Sequence, residues 1–301
     1  FRCNQDCSFC WQRRDWPEPP AERFFGWLDE FAGMGLDHLF VSGGEPTTWK
    51  RLPELIERAA GTHGMTVILQ TNAIALGSST YLQRLRDAGL ASASISLHAG
   101  DAALSDAMTR APGTFDRTLQ GIAACRQAGL PLHLTCVVER ANLGSLAEHA
   151  RLVVERFVRP FPDSPPPSVA YAHPCLSVDE AAFAAACPPL DAVRGPLADA
   201  TRILVEAGVP VTSVGGCGFP ACALVDAPDL LVRLSPEDLR DDDTSSRRYG
   251  AACDDCAMKP WCIGLRREYL DVHGEAGLRP FDRLPDLPEA GGDLSQSLAL
   301  R

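Results

Sequence analysis

The sequence of 301 residues predicts an α/β fold, a partial (β/α)6 TIM-like barrel followed by a small C-terminal domain. Amphipathic helices and short apolar strands alternate from Ala21 to about Ala207. This alternation is typical of βα units that surround a parallel sheet. Glycines stand where several of the helices should end. Six units are too few to close an eight-stranded barrel, so we expect an open one.

Each predicted helix has apolar residues at helical spacing, and each predicted strand is a short apolar run. The end of a first strand is expected just before Cys3. Further strands are predicted at Leu39 to Val41, Val67 to Leu69, Ala93 to Leu97, Leu132 to Val138 and Val169 to Ala172. Helices are predicted at Glu22 to Met34, Leu52 to Ala60, Tyr81 to Ala88, Phe115 to Ala128, Leu143 to Phe157 and Leu190 to Ala207.

The composition changes near Val209, which suggests a domain boundary. We predict a core domain over residues 1–208, a smaller domain over 209–280 and a loose tail over 281–301. The polar, acidic stretch 240–246 is expected to be a loop. The tail is rich in proline, glycine and aspartate, which is unfavourable for a packed core.

Composition narrows the range of partners. The net charge of −11 argues against a nucleic-acid partner, because phosphate binding usually needs a basic surface. The sequence has no run of eighteen apolar residues, so no membrane span is predicted. Eight of the twelve cysteines fall in two groups with metal-type spacing, which indicates a reducing, cytoplasmic environment.

Three cysteines lie in one short loop near the start of the chain. Cys3, Cys7 and Cys10 have the spacing C-x3-C-x2-C. A cubane iron–sulfur cluster needs four ligands, so three thiolates leave one iron open for a ligand that is not protein. A disulfide framework would leave an odd cysteine here. A zinc site would need a fourth ligand, and the nearest histidine in sequence is His38.

This loop resembles the signature of the radical S-adenosylmethionine (SAM) superfamily, with Phe9 as its aromatic residue. The resemblance implies a [4Fe-4S] cluster on the three cysteines, with SAM chelating the fourth iron and Phe9 near the adenine. It implies that the reduced cluster cleaves SAM to methionine and a 5′-deoxyadenosyl radical, which takes hydrogen from a substrate. An electron donor such as flavodoxin or ferredoxin is an implied partner.

Other strand ends carry candidate SAM contacts. Gly43, Gly44 and Glu45 form a tight turn that, beside the cysteine loop, resembles the family's GGE motif, which lines the methionine end of SAM. Asn72 either faces the site, as is common in the family, or closes a turn. Ser96 is expected to contact SAM. His98 is a candidate catalytic residue, with a structural histidine as the alternative.

Two groups of basic or aromatic residues are weaker candidates. Arg110 could bind a carboxylate or be a solvated surface arginine. Arg13 and Arg14 could hold a substrate carboxylate, and Trp11 and Trp16 could shield the radical, although a charge run is usually a solvated face.

A second cysteine group lies in the C-terminal part. Cys253, Cys256 and Cys262 have the spacing C-x2-C-x5-C, Cys222 is the predicted fourth ligand, and Cys217 is held in reserve. Spacing alone also fits a zinc ribbon. Behind the predicted core, the group resembles the SPASM or Twitch extensions, which carry auxiliary iron–sulfur clusters. Arg266 stands where the SPASM pattern has its next cysteine, which favours a single, Twitch-like [4Fe-4S] cluster. The resemblance covers roughly residues 1–275.

The sequence therefore predicts an enzyme of the radical SAM class that performs a net oxidation, with SAM as co-substrate. A ribosomal peptide is the first candidate substrate, and a small metabolite such as an amino sugar or alcohol is the second. A non-catalytic iron–sulfur or zinc scaffold is the alternative from another class. The open iron position and the Gly43-Gly44-Glu45 turn argue against that alternative.

Overall fold

A computed structural model of the chain describes residues 2–10, 12, 16–175, 180–215, 217–233 and 247–285. Trp11, Arg13 and Arg14, the acidic stretch 240–246 and the tail from residue 286 lie outside the described residues. Predictions that concern those positions stay predictions.

A six-stranded parallel sheet forms the centre of the fold, in the strand order β1-β2-β3-β4-β5-β6. Its strands are β1 His38–Val41, β2 Thr66–Thr71, β3 Leu90–Ser96, β4 Leu132–Val137, β5 Ser168–Ala172 and β6 Val211–Thr212. Each strand pairs with the next strand along the chain, as successive βα units do. The predicted α/β fold with an open, partial barrel is confirmed.

Helices connect the strands and cover the sheet. They are α1 Ala21–Gly33, α2 Leu52–Glu57, α3 Ser79–Asp87, α4 Ala102–Thr109, α5 Phe115–Gln127, α6 Leu146–Val153, α7 Glu180–Ala186 and α8 Leu190–Glu206. Their apolar faces and the sheet enclose one core in which Ile56, Leu85 and Leu197 are fully buried. Burial of these faces is the main stabilising term of such a layered fold.

The sheet differs from the prediction at both ends. The sequence counted a first strand that ends just before Cys3, but the described residues before His38 form no strand, so the segment Val169 to Ala172, predicted as the sixth strand, is β5. The sixth strand is β6, which pairs through Val211 and Thr212 with β5. It has only two residues and follows Pro210, so its sequence carries little strand signal. The sheet thus extends past residue 208, while the proposed domain division stays a prediction.

The remaining described chain has little regular structure. A short antiparallel ribbon joins β7 Arg247–Arg248 to β8 Leu265–Arg266, and α9 Arg267–His273 follows. Tyr269 of α9 is fully buried, and its hydroxyl accepts a hydrogen bond from the backbone N–H of Leu190 at 3.0 Å. This contact attaches the C-terminal segment to the start of α8. Among the described residues, no helix has both the length and the apolar character needed to cross a membrane.

Candidate active site

The cysteine loop, residues 2–10, lies across the carboxyl ends of four neighbouring strands. A residue that follows each of β1 to β4 contacts a different residue of this loop. The pairs are Glu45 with Arg2, Asn72 with Asn4, His98 with Phe9, and Glu139 with Ser8. Active sites of parallel α/β sheets lie at this edge. The structure therefore brings the predicted cysteine loop together with three of the predicted rim positions.

Backbone hydrogen bonds fix the loop from its other side. The N–H groups of Asp6 and Ser8 donate to the carbonyl oxygens of Thr109 and Met108 at 2.8 Å each, at the end of α4. Cys3, Cys7 and Cys10 stay only partly buried. The main chain is thus held by the barrel, while the three thiols remain accessible to a ligand.

Gly44 is required for the closest of these contacts. The backbone N–H of Glu45 donates to the carbonyl oxygen of Arg2 at 2.8 Å. A Cβ atom added at Gly44 would lie 2.0 Å from that same oxygen, far inside van der Waals contact. Only glycine allows the loop and the strand end to approach this closely. Gly43 has a φ of +145° and open space beside it, so conformation rather than contact favours glycine there.

Glu45 is buried, and its carboxylate accepts hydrogen bonds from residues at the ends of two strands. One oxygen accepts from the hydroxyl of Thr71 at 2.7 Å and from Thr47, and the other accepts from the backbone N–H of Asn72 at 2.8 Å. These bonds join the ends of β1 and β2. A contact of the 43–45 backbone with SAM stays a prediction, whereas the side chain of Glu45 is occupied by the protein.

Asn72 closes a turn, which is one of the two roles that the sequence left open, whereas a contact with SAM stays a prediction. Its amide nitrogen donates to the side-chain oxygen of Asn4 at 2.6 Å, and its own oxygen accepts from the backbone N–H of Ile74 at 3.2 Å. It thus closes a turn and also holds the cysteine loop. Ser96 is the last residue of β3, is partly buried and is in register with Thr135. Its contact with SAM stays a prediction.

His98 contacts Phe9, with ring centroids 4.4 Å apart and the rings edge to face. Its Nδ1 accepts a hydrogen bond from the backbone N–H of Val137 at 3.1 Å. Burial, and to a smaller extent the nearby His149, lower the pKa of His98 to about 3, so the ring is neutral. These contacts give His98 a structural role between β3 and β4 and a part in orienting Phe9. A catalytic role for it stays a prediction.

Glu139 is a rim residue that the sequence reading missed. It is 2% exposed, and one carboxylate oxygen accepts from the Ser8 hydroxyl at 3.2 Å. Its other oxygen is buried and has no hydrogen-bond partner among the described residues. Burial raises the pKa of Glu139, an effect that Ser8 and the charge of Arg110 only partly oppose. A charged residue directly after the apolar strand Leu132 to Val138 was the available signal.

Two weaker candidates lie at the edge of the loop. Arg110 ends α4 with a positive φ of 50°, and its guanidinium lies 3.9 Å from the carboxylate of Asp6. Both side chains are exposed, so this pair contributes little to stability. Trp16 is 52% exposed. The predicted roles of Arg110 in carboxylate binding and of Trp16 in shielding stay predictions.

Four cysteines meet in the C-terminal segment. Cys222, Cys253, Cys256 and Cys262 line one small cavity, although the first is distant in sequence from the other three. We call these four residues the C-terminal cysteine site. In the part of the chain that the structure describes, no three His, Cys, Asp or Glu side chains converge on the position of one metal ion. Four thiols around one cavity are suited to hold either a zinc ion or an iron–sulfur cluster, and the cluster stays a proposal.

Backbone N–H groups point at the sulfur atoms of this site. The N–H groups of Ala221 and Gly264 lie 3.4 Å from the sulfur of Cys262, and that of Phe281 lies 3.3 Å from the sulfur of Cys256. Burial raises the pKa of Cys222 to about 12 and also raises that of Cys262. Buried thiols with N–H donors are suited to bind as thiolates, because a metal replaces the proton and the donors stabilise the sulfur.

Cys217 does not line this cavity and is exposed. Its backbone carbonyl accepts from the N–H of His173 at 2.9 Å, at the end of β5. The geometry therefore favours Cys222 over Cys217 as the fourth ligand, in agreement with the choice made from the sequence. The ligand assignment itself stays a proposal.

Comparison with known proteins assigns the class. The family model described as Radical SAM superfamily matches residues 1–153, just over half of the 301 residues. The chain belongs to the radical SAM superfamily, and it is an enzyme that uses SAM.

Individual relatives match parts of the chain. AdoMet-dependent heme synthase of Methanosarcina barkeri is 33% identical over 159 residues, which are 51% of this chain and 44% of the relative. PqqA peptide cyclase of Granulibacter bethesdensis is 31% identical over 149 residues, 48% of this chain and 39% of the relative. The structure of Streptococcus suis SuiB bound to precursor peptide SuiA has a TM-score of 0.55 at 16% identity, covering 76% of this chain and 49% of SuiB. The chain spans less than half the length of each.

The residues of the cysteine loop fit the cofactors that the superfamily implies. Three thiols lie on one loop whose backbone is fixed, and the contact of Gly44 with Arg2 keeps the strand end close beside it. Phe9 adds an apolar ring next to Cys10, supported by His98. Thiolates are the protein ligands that iron–sulfur clusters require. Cys3, Cys7 and Cys10 would hold the [4Fe-4S] cluster to which SAM binds.

Proposed function

We propose that this enzyme carries out a net oxidative modification of a peptide. The observation that carries the proposal is the pair of cysteine sites: three partly buried thiols on the rim, and four thiols around a separate cavity. When bound, a [4Fe-4S] cluster with SAM supplies the 5′-deoxyadenosyl radical that takes hydrogen from the substrate. The protein residues fix where this chemistry takes place.

The rim residues keep the cysteine loop in one position. Glu45 links β1, β2 and the loop through its backbone N–H and its carboxylate, and Asn72 adds a side-chain contact to Asn4. Phe9 and the neutral His98 present an apolar edge suited to the adenine ring of SAM. Gly43, Gly44 and Ser96 are proposed to contact the methionine and ribose parts of SAM. Fixed geometry of this kind lowers the entropic cost of bringing reacting groups together.

The C-terminal cysteine site is proposed to hold one auxiliary [4Fe-4S] cluster. Four protein thiolates leave no open iron, so such a cluster is suited to electron transfer rather than to direct substrate binding. Its N–H···S contacts at Cys256 and Cys262 would raise its potential and favour accepting an electron. Loss of one electron from the substrate after hydrogen abstraction gives an oxidised product. SAM would then be consumed, and an electron donor such as flavodoxin or ferredoxin would supply the first electron.

Three comparisons bear on the substrate. A relative at 31% identity is named as a peptide cyclase, and SuiB, of similar fold, was crystallised with its precursor peptide. Both support a peptide. The heme synthase relative, at 33% identity, supports the second candidate, a small metabolite.

We propose the division 1–208, 209–280 and 281–301 for the core, the auxiliary domain and the tail. A reducing compartment such as the cytoplasm is proposed, because the cysteines of both sites must stay reduced to bind clusters.

Substrate class can be tested without knowing the substrate. Reconstituted enzyme, SAM and dithionite are mixed with size-fractionated extract of the source cells, and 5′-deoxyadenosine is measured. A peptide substrate predicts stimulation that is lost when the extract is first digested with protease and the protease inactivated. If the stimulating component resists protease and passes a small-molecule filter, the substrate is a small metabolite and not a peptide.

Net oxidation can be tested separately once an extract fraction that stimulates 5′-deoxyadenosine formation has been found. Substrate made in deuterated medium should transfer deuterium to 5′-deoxyadenosine, about one per product, because the radical removes one hydrogen atom. Return of the deuterium to the product, with SAM regenerated, would contradict net oxidation.

A further inference from the structure

Arg194 is a buried arginine that joins the barrel to the C-terminal cysteine site. It lies on α8, and its side chain is only 5% exposed. Its Nε donates to the backbone carbonyl oxygen of Cys222 at 3.2 Å. Its two terminal nitrogens donate to the carboxylate of Asp191 and to the carbonyl oxygen of Gly277. One residue of the barrel thus contacts both a proposed cluster ligand and a segment near the end of the described chain.

The segment 277–281 directs backbone N–H groups at two cysteines of this site. The N–H of Phe281 lies 3.3 Å from the sulfur of Cys256, and the N–H of Arg279 donates to the thiol of Cys222. Outer hydrogen bonds of this kind orient metal ligands and tune the metal that they hold. Because the buried guanidinium holds the first residue of the segment, it also helps to fix the direction of these two donors.

The positive charge of Arg194 acts on the Cys222 thiol. Burial raises the pKa of Cys222 to about 12, whereas the Arg279 N–H and the Arg194 charge lower it. The carboxylate that pairs with Arg194 belongs to Asp191, whose side chain is 60% exposed. Water screens an exposed charge more strongly than a buried one, so the positive charge has the larger effect at Cys222.

Two other cations line the cavity, but they differ from Arg194 in their surroundings. The side chains of Lys259 and Arg279 are much more exposed, and each is paired with an exposed aspartate. Exposed ion pairs of this kind have weak, salt-screened effects. The buried guanidinium on α8 is therefore the cation with the better placement to influence a metal centre held by Cys222.

We propose that Arg194 is a positioning residue for the C-terminal cysteine site and that its charge raises the reduction potential of the cluster bound there. Reduction adds one negative charge to an iron–sulfur cluster, so a fixed positive charge nearby favours the reduced form. The inference rests on the proposed function, in which this auxiliary cluster accepts an electron from the substrate radical. Arg194 would make that transfer more favourable, in addition to the N–H donors at the sulfur atoms.

The reduction potentials of the two clusters can be measured separately in the holoenzyme. Reconstituted enzyme is titrated with reductant at controlled potentials and followed by electron paramagnetic resonance. A signal that SAM changes belongs to the cluster of the cysteine loop, and a signal that SAM leaves unchanged belongs to the C-terminal cysteine site. The cluster of the loop then serves as an internal reference in every variant.

Arg194→Gln removes the charge and keeps a side chain that can donate hydrogen bonds. The equilibrium constant for reduction of the auxiliary cluster should fall about tenfold, which is about 59 mV for one electron. Arg194→Lys keeps the charge and should stay closer to wild type. Arg202→Gln is the matched control, because it removes an exposed arginine from the same helix and should change neither potential.

A purely structural role for Arg194 gives a different result. If Arg194→Gln retains its iron and its auxiliary potential equals that of wild type, the proposal is refuted. If the variant instead loses the auxiliary iron, Asp191→Asn decides, because it removes only the exposed partner of the guanidinium. It should raise the equilibrium constant about threefold, whereas Asp199→Asn, exposed on the same helix, should not. An unchanged or lower potential in Asp191→Asn overturns the proposal.

The wild-type enzyme separates this inference from the proposed function. About eight irons per chain and two distinct signals establish the auxiliary cluster, and the variants then test Arg194 alone. About four irons and a single signal that responds to SAM would refute the auxiliary cluster, and this inference with it. Unchanged potentials beside a full iron content refute the role of Arg194 and leave the proposed function standing.

Discussion

The two cysteine sites of this enzyme are built differently. In the cysteine loop, the protein binds the main chain and leaves three sulfur atoms partly accessible. In the C-terminal cysteine site, four cysteines from two segments line one cavity, Cys222 is buried and the other three are partly buried, and backbone N–H groups point at Cys256 and Cys262. The first arrangement suits a cluster with one iron open to SAM. The second suits a cluster that only exchanges electrons.

The difference also explains what each site depends on. The cysteine loop depends on residues after four separate strands, so its position follows from the barrel. The C-terminal cysteine site depends on two short segments, around Cys222 and from Cys253 to Cys262, and the described residues between them form only short elements. We therefore expect damage at the first site to affect SAM chemistry, and damage at the second to affect iron content and product formation.

The largest effect is expected from the three loop cysteines. Cys3→Ala, Cys7→Ala or Cys10→Ala should each abolish 5′-deoxyadenosine formation with SAM and dithionite, because the open iron requires all three thiolates. Circular dichroism should show a folded protein, since the hydrophobic core lies elsewhere. Undiminished SAM cleavage in any one variant would contradict the proposed role of the loop.

Gly44→Ala tests whether the loop must lie against the strand end. The new methyl group would collide with the carbonyl oxygen of Arg2, at 2.0 Å, and displace the loop. SAM cleavage should fall on the order of a hundredfold, as expected when reacting groups shift by about 1 Å. Gly26→Ala is the matched control, because a Cβ there meets no atom within 4 Å. It should leave cleavage unchanged. Equal rates for both variants would show that the contact is unimportant.

Cys222→Ala tests the C-terminal cysteine site. Iron content after reconstitution should fall from about eight to about four atoms per chain, while SAM cleavage without substrate persists. The exposed Cys217 provides the control, and Cys217→Ala should keep all the iron. If Cys217→Ala loses iron and Cys222→Ala does not, the fourth ligand has been assigned to the wrong residue.

Glu139→Gln should give the smallest effect. Burial raises the pKa of Glu139 in the folded protein. Its contribution to stability is therefore full below the unfolded pKa and is lost as pH rises through the folded pKa. Glutamine does not titrate, so the Tm of the variant should fall less than the Tm of wild type between about pH 5 and about pH 8. The difference between the two falls should be ~2–4 °C. The exposed Glu148→Gln should behave like wild type. Identical slopes for all three proteins would exclude a buried, titrating Glu139.

Much of the rim could be predicted from the sequence. The βα alternation predicts β1 to β5, and the strand ends identify Gly44, Asn72 and His98. The sequence could not show that the carboxylate of Glu45 is satisfied by Thr47, Thr71 and Asn72, because those contacts depend on strand register. It also missed Glu139, whose role depends on a loop more than 130 residues earlier in the chain.

Short elements with weak patterns were the other source of error. The two-residue β6 follows a proline, and helices α4, α7 and α9 each have eight residues or fewer. Such segments owe their structure to tertiary contacts more than to their own propensity. In the C-terminal segment, cysteine spacing carried the prediction where secondary structure could not. Cavity lining then favoured Cys222 over Cys217, a choice that spacing alone left open.

Iron analysis of the reconstituted wild-type enzyme, with Mössbauer spectra recorded before and after SAM is added, tests the two-site account most directly. The account predicts about eight irons per chain, and SAM should change the signal of only about one of them, the open iron of the loop cluster. About four irons with bound zinc would remove the auxiliary cluster. A spectrum that SAM leaves unchanged would contradict the open iron on which the proposed chemistry depends.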